Sequence, residues 1–296
     1  RMLSYDFRAT ANYNHTFNRI HIVNLFGGME ATNIERSRSW FNGVGMQYNQ
    51  SEVPFYIYQF FKRAQEAGHD YYTLSHNYSR TAAFFANGTY SYQGKYNLNG
   101  TIRYEGSNML GRSRSARWLP TWNISGSWNM HEEKFFDIFR PTLSHFTLKA
   151  SYSLTADRGP ASITNSTSIF SAYNPYRPFS TDKESGISLY QTGNDELTYE
   201  KKHEWNFGVD AGFLNNRINV TLDVYRRNNY DLIGVVNTQG VNRSAMSYGN
   251  VASMKSHGEE LSISTTNIKN KDFSWTTNIL YAHAVNEVTE LMSRAN

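Results

Sequence analysis

Residues 82–105 read Ala82-Ala83-Phe84-Phe85-Ala86-Asn87-Gly88-Thr89-Tyr90-Ser91-Tyr92-Gln93-Gly94-Lys95-Tyr96-Asn97-Leu98-Asn99-Gly100-Thr101-Ile102-Arg103-Tyr104-Glu105. On the first arm Ala82, Phe84, Ala86, Gly88, Tyr90 and Tyr92 fall on one side, against Asn87, Thr89 and Ser91. After the turn at Gly94-Lys95, Tyr96, Leu98, Gly100, Ile102 and Tyr104 oppose Asn97, Asn99, Thr101, Arg103 and Glu105. Successive residues of a strand point to opposite faces, so this period of two predicts a hairpin with one apolar and one polar face.

The same alternation recurs outward in both directions. Residues 3–13 place Leu3, Tyr5, Phe7, Ala9, Ala11 and Tyr13 on one face, and a less regular return strand is expected over 20–32, with Val23, Leu25 and Met29 on its apolar side. Further strands are read at Trp122/Ile124/Gly126/Trp128/Met130, Phe146/Leu148/Ala150/Tyr152/Leu154, Trp205/Phe207/Val209/Ala211/Phe213 and Ile218/Val220/Leu222/Val224. Residues 257–267 and 273–285 bring the count to ten.

The connections select the architecture. Compact links at 18–19, 94–95, 131–142, 214–217 and 268–272 alternate with longer polar ones at 33–75, 106–117, 155–197 and 229–256. A sheet with one trimmed and one elaborated edge gives this pattern, as outer-membrane barrels do with short periplasmic turns and long extracellular loops. Strands of ~10 to 12 residues tilted by ~40° climb roughly 25 to 30 Å, the height of the apolar band of such barrels. Two aromatic belts are expected as well, Phe17, Tyr92, Tyr96, Trp128, Phe146, Phe213, Phe273 and Trp275 near the short turns, and Tyr5, Tyr104, Trp118, Trp122 and Tyr199 near the long loops. The fold class is therefore all-β, an antiparallel up-and-down transmembrane β-barrel segment.

Composition narrows the function. Over 296 residues the mean hydropathy is −0.61 and no apolar run approaches the ~20 residues of a membrane-spanning helix. The absence of cysteine excludes a disulfide scaffold, a thiolate zinc site and a thiol nucleophile. A formal charge of +4, with basic clusters only at Arg36/Arg38 and Arg112/Arg114/Arg117, excludes a nucleic-acid footprint. Arg1-Met2-Leu3-Ser4 opens in mid-pattern and Val285-Asn286-Glu287-Val288 runs on without a closing element, so an internal piece of a longer chain is expected.

Ordered motifs add a resemblance. Gly94 to Asn108 is followed by Trp118-Leu119-Pro120-Thr121-Trp122-Asn123-Ile124-Ser125-Gly126-Ser127-Trp128, then Glu132-Glu133-Lys134-Phe135, Leu148 to Thr155, Leu197-Thr198-Tyr199-Glu200-Lys201, and Asn206 to Ile218. Tyr225 with Asp231-Leu232-Ile233, Asn250 to Lys255, Gly258-Glu259-Glu260 and Asp272-Phe273-Ser274-Trp275 complete the series. From about residue 80 to 291 this set resembles the SusC/RagA family of TonB-dependent outer-membrane transporters of Bacteroidetes. Glu105, Asn108, Tyr199 and His257 depart from its usual residues.

The resemblance implies a 22-stranded barrel filled by an amino-terminal plug that is absent from this chain, so residues 1–296 would be part of one barrel domain. It also implies import of large nutrients, glycans or oligopeptides, driven by the TonB complex through that plug, with a SusD-like surface lipoprotein as partner and outer-membrane lipid around the wall. No cofactor, metal or catalytic residue is implied. A passive porin, or a structural or adhesive barrel, is the alternative that the residues alone leave open.

Candidate chemistry elsewhere is sparse. His131-Glu132-Glu133 lacks the second histidine of a zinc helix, and the carboxylates Asp195/Glu196 with Glu200, and Glu259/Glu260, read as loop and lumen polarity. Residues 55–67 predict a short amphipathic helix with Phe55, Tyr58, Phe60 and Phe61 facing inward. In the 156–196 connection, Tyr173, Tyr176 and Tyr190 beside Asn174, Arg177 and Asp182 suit sugar rings or peptides. Tyr173, Tyr176, Arg177 and Tyr190 are therefore the candidate ligand-binding residues.

Overall fold

Alternation of apolar and polar residues makes a strand that satisfies its backbone only by pairing, and here every such strand pairs with its neighbours in the chain. The computed structural model describes residues 1–42, 46–47, 49, 51–54, 57–111, 114–158, 168–182, 184–191, 193–237 and 246–291. Its strands are β1 (Met2–Phe17), β2 (His21–Phe41), β3 (Met46–Gln47), β4 (Val53–Pro54), β5 (Tyr72–Tyr92), β6 (Tyr96–Ser107), β7 (Trp118–Asn129), β8 (Leu143–Asp157), β9 (Ile169–Tyr173), β10 (Gly186–Gln191), β11 (Glu200–Phe213), β12 (Ile218–Asn237), β13 (Met246–Lys269) and β14 (Ser274–Leu291). Helix α1 spans Tyr58–Glu66 and a single turn, α2, spans Arg114–Arg117.

Ten strands form one antiparallel sheet in the order β1-β2-β5-β6-β7-β8-β11-β12-β13-β14, the ten read from alternation. The strands β3–β4 and β9–β10 make two separate two-stranded pieces within long connections. At the tight ends the links are three residues long, 18–20 and 93–95, and Asn18 and Arg19 (φ 49° and 60°) and Gln93 with Gly94 (φ 53° and 71°) take the left-handed conformations that reverse the chain there.

The register sets the tilt. One row of cross-strand partners runs His21, Tyr92, Tyr96, Trp128, Leu148, Val209, Leu222, Leu261, Tyr281. It starts at the turn end of β2 and, seven strands on, meets β13 at Leu261, eight residues from the turn end at Lys269. A stagger of about one residue per strand, at ~3.3 Å rise and ~4.8 Å spacing, corresponds to a tilt of about 35°.

The two faces separate as the alternation requires. Phe7, Leu25, Phe84, Ile102, Ile124, Phe207 and Ile279 share one face, and each leaves about half of its surface uncovered. So large an exposed apolar face is foreign to a water-soluble monomer. Rings bracket it: Tyr92, Tyr96 and Trp128 stack in sequence at the short-turn side (centroids 6.3 and 6.1 Å apart), and Tyr104–Trp118 (5.1 Å) and Tyr152–Trp205 (4.0 Å) stack at the other. From Tyr96 to Tyr104 the strand climbs roughly 22 Å at this tilt, close to the ~25 Å band of a lipid-facing wall.

Four expectations are corrected. The strand expected over 20–32 continues to Phe41, and β5 begins at Tyr72 rather than near 82; these extensions pair in register from Ile34↔Ser79 to Phe41↔Tyr72. Likewise much of the 229–256 connection is strand, paired out to Asn237↔Met246. Above the band both faces meet water, so alternation disappears from the sequence while backbone pairing goes on. The third correction is Tyr199, which belongs to no belt and is 4% exposed. The fourth is α1, on which Tyr58 and Phe60 are exposed and Lys62 is the buried residue; Phe55 lies outside the described residues.

Candidate functional site

The inner face, opposite the apolar one, carries the polar groups. Toward the turn side they are amides and hydroxyls: Asn87 Nδ2 donates to Thr101 Oγ1 (2.7 Å) and Asn99 Nδ2 to Thr89 Oγ1 (2.9 Å). A concavity of about 390 Å³ is lined there by Thr89, Asn97, Asn99, Ser125, Ser127, Ser151 and Asn206 beside Lys149 and Asp223. Toward the loop side the face is charged. Arg103 joins Glu30 on β2 and Glu105 on its own strand, and Arg227 and Lys202 both reach Glu204 (3.0 and 3.1 Å). Beside the turn-side concavity, Lys149 pairs with Asp210. Pairs that are this solvent-accessible contribute little stability each; their effect is to keep the face wet and polar.

The best-packed part of the chain lies at the long-loop edge. Leu110, Ala116, Leu197 and Tyr199 are all but fully buried there. Asn250 ties the cluster together: its Oδ1 accepts from the Thr198 amide (3.0 Å), and its Nδ2 donates to the carbonyls of Thr198 (3.0 Å) and Asp231 (2.6 Å). Thr198 Oγ1 donates to the Ala116 carbonyl, and Gly111 N to the Leu197 carbonyl (2.9 Å). Burial, with the Glu105 carboxylate adding to it, pushes the Tyr199 hydroxyl up to about 12, so it stays protonated against the Glu105 carbonyl. Beside this cluster the Trp118 indole occupies the space that a Cβ at position 106 would need, so Gly106 admits no side chain.

The candidate ligand residues fall on one projecting arm, β9–β10. Tyr173 ends β9 opposite Gly186, and its ring lies where a Cβ of that glycine would be. Tyr176 and Arg177 follow in the connection; Tyr176 is 65% exposed and Phe179 completely so. Arg177 Nε donates to Glu184 Oε2 (3.0 Å), and its carbonyl accepts from Lys62 Nζ (2.8 Å). Tyr190 stands on β10, and its side chain lies outside what the structure describes.

The other carboxylates and the histidine motif have structural places. Glu133, in the connection between β7 and β8, is held below the usual carboxylate range by the Tyr96 hydroxyl (2.6 Å) and by Lys95 (2.9 Å). His131 Nδ1 lies 3.2 Å from the Phe146 carbonyl. Glu200 accepts from the Ile233 amide. Glu259 and Glu260 point to opposite faces of β13, the former outward beside His283 above the apolar band. Among the described residues no three His, Asp or Glu side chains are grouped to hold a metal. Lys62 and the Asn250 clamp escape sequence reasoning: a lysine in an amphipathic helix reads as exposed, and Asn250 stands out in the sequence only as part of a motif.

A ten-strand tilted meander with a wet inner face and a ring-bounded apolar outer face has close counterparts. Among solved structures, chains of the RagAB peptide transporter superpose with TM-scores of 0.78 and 0.79 at 22% identity, over 98–100% of this chain and 31% of the matched chain. The outer-membrane transporter YddB from Escherichia coli gives 0.58 at 12% identity, covering 97% of this chain and 34% of that one. In sequence, a TonB-dependent receptor of Formosa agariphila is 28% identical over 289 residues, 97% of this chain and 26% of its own length. The receptor SusC of Bacteroides thetaiotaomicron is 31% identical over 214 residues, 71% of this chain and 21% of its own. These bear out the resemblance carried by the ordered motifs, and the chain spans about a quarter of the length of the curated relatives it matches. The family model described as "TonB dependent receptor-like, beta-barrel" matches residues 2–293, and the chain belongs to that outer-membrane family.

Proposed function

We propose that these strands are one sector of the wall of a TonB-dependent importer, and that residues 1–296 are part of a single 22-stranded barrel domain closed around a plug. Cargo enters from the long-loop, extracellular side, meets the exposed arm with Tyr173, Tyr176 and Arg177, and passes along the polar inner face when the plug moves. Glycans or oligopeptides are the cargo classes, because exposed rings beside Arg177 and Asn174 offer stacking and hydrogen bonding to either. A SusD-like surface lipoprotein is the partner at the extracellular rim, and the TonB complex acts through the plug. The role is transport, not catalysis.

The observation that carries this reading is the division of one continuous sheet into an apolar, ring-bounded outer face and an inner face of ion pairs, amides and hydroxyls. Uptake of defined glycan and oligopeptide mixtures by a strain lacking the full gene tests it. Loss of uptake of one mixture, reproduced by removing TonB, is the expected result. Uptake that persists without TonB would favour a passive pore, and no defect with any mixture would sink transport.

A further inference from the structure

We infer that Lys62 latches the first extracellular connection to the third, so that α1 and the β9–β10 arm move as one body at the mouth of the wall. Helix α1 has nine residues, no side-chain N-cap and no acidic residue in its first turn; a helix this short does not hold by itself in water. Two sets of contacts hold it. On one side Phe61 packs edge-on against Tyr71 (5.3 Å), which packs edge-on against Phe41 at the tip of the β2–β5 hairpin (4.6 Å). On the other side Lys62 reaches the arm.

The Lys62 side chain is 6% exposed and that of Glu66, one turn on, is 3% exposed. Lys62 Nζ donates to Glu66 Oε1 (2.5 Å) and to the carbonyl of Arg177, 115 residues away (2.8 Å). An ammonium withdrawn from water persists only where its charge and donors are met. Glu66 meets the charge from within the helix; its Oε2 is buried without a hydrogen-bond partner among the described residues. The Arg177 carbonyl is the partner from the third connection. Arg177 follows Tyr176 directly and lies four residues beyond Tyr173, the last residue of β9, so motion of its backbone is passed along the chain to the arm that carries Tyr173 and Tyr176. Lys62 is thus a positioning residue. Its consequence for import rests on the reading that this arm meets cargo; the latch itself does not.

Hydrogen exchange of the full-length transporter in nanodiscs tests the latch without any ligand. In Lys62→Met, exchange over 169–191 is expected to quicken about tenfold, the ratio one charge-assisted hydrogen bond supports, while residues 82–105 stay unchanged. Lys62→Arg, which keeps the donors, is expected to restore protection. The double variant Lys62→Met/Glu66→Met removes the stranded carboxylate and is expected to keep α1 folded with the arm still loose. An arm as protected in the double variant as in the wild type would overturn the latch, as would loosening that merely follows unfolding of 58–66. Uptake of a mixed oligopeptide digest and a mixed oligosaccharide digest is read in parallel. A loose arm with both uptakes unaltered would leave the latch standing and overturn the cargo reading alone.

Discussion

Replacing Leu222 by arginine probes the assignment of faces where it is most exposed to failure. Leu222 lies four residues from the turn end of β12 at Ile218, beside Val209, which lies four residues from Phe213 and from Trp205 on β11. At ~3.3 Å per residue and a tilt of about 35°, that puts it roughly 11 Å from each aromatic belt, near the middle of the band. An arginine at the midplane of a lipid-facing wall costs about 2–4 kcal/mol, which lowers the folded-to-unfolded ratio by roughly 30- to 1,000-fold. Thr221, one residue away, faces inward opposite Asp210; an arginine there meets water and that carboxylate and should change stability by under about 1 kcal/mol. Guanidinium titration of the full-length protein in phospholipid vesicles, comparing Leu222→Arg with Thr221→Arg, gives both numbers. Equal costs, or a larger cost at Thr221, would refute the assignment of the apolar face to lipid.

Three further outcomes follow from the same geometry. Asn250→Ala removes three hydrogen bonds and strands part-buried groups of Thr198 and Asp231, so residues 193–199 should become protease-sensitive, with a local loss of about 2–3 kcal/mol; unaltered cleavage there would discount the clamp. Because Tyr199 is raised from its usual value to about 12, it contributes stability that is complete below pH ~10 and falls away as pH rises through about 12. The ultraviolet absorbance of tyrosinate should therefore show one hydroxyl titrating at about 12 with local loosening in the same window, and Tyr199→Phe should remove that late-titrating signal. Glu133 is depressed by Tyr96 and Lys95, so its contribution is present above the ordinary carboxylate range and lost as pH falls below it. Glu133→Gln should flatten the acid side of the stability profile, and an unchanged profile would count against that contact.

The sequence speaks most clearly where the two faces of a strand meet different surroundings. All ten wall strands could be read from it because lipid on one side and water on the other impose a period of two. Their upper ends could not: Arg36, Ser37, Arg38 and Ser39 are solvated on both faces, yet they pair as regularly as the residues below. Aromatic position alone misplaced Tyr199, since a ring at the right height can enter a loop core as readily as a belt. The return strand looked irregular because Phe26 faces inward and packs on Phe85 (5.6 Å), over which Arg8 lies. The buried Lys62 was illegible for another reason: its partner is a backbone carbonyl 115 residues away, and a main-chain acceptor leaves no mark in composition or spacing.

Residues 1–296 contain no cysteine, so in a transporter whose cysteines elsewhere, if any, are replaced by serine, single cysteines placed in turn at 123 to 127 on β7 report which face each residue occupies. In the transporter reconstituted in lipid, Asn123, Ser125 and Ser127 positions should react with a small membrane-impermeant maleimide, while Ile124 and Gly126 positions should resist it and be quenched by brominated acyl chains. Alternation in the opposite phase, or uniform reactivity along the strand, would contradict a wall with lipid outside and a polar passage within.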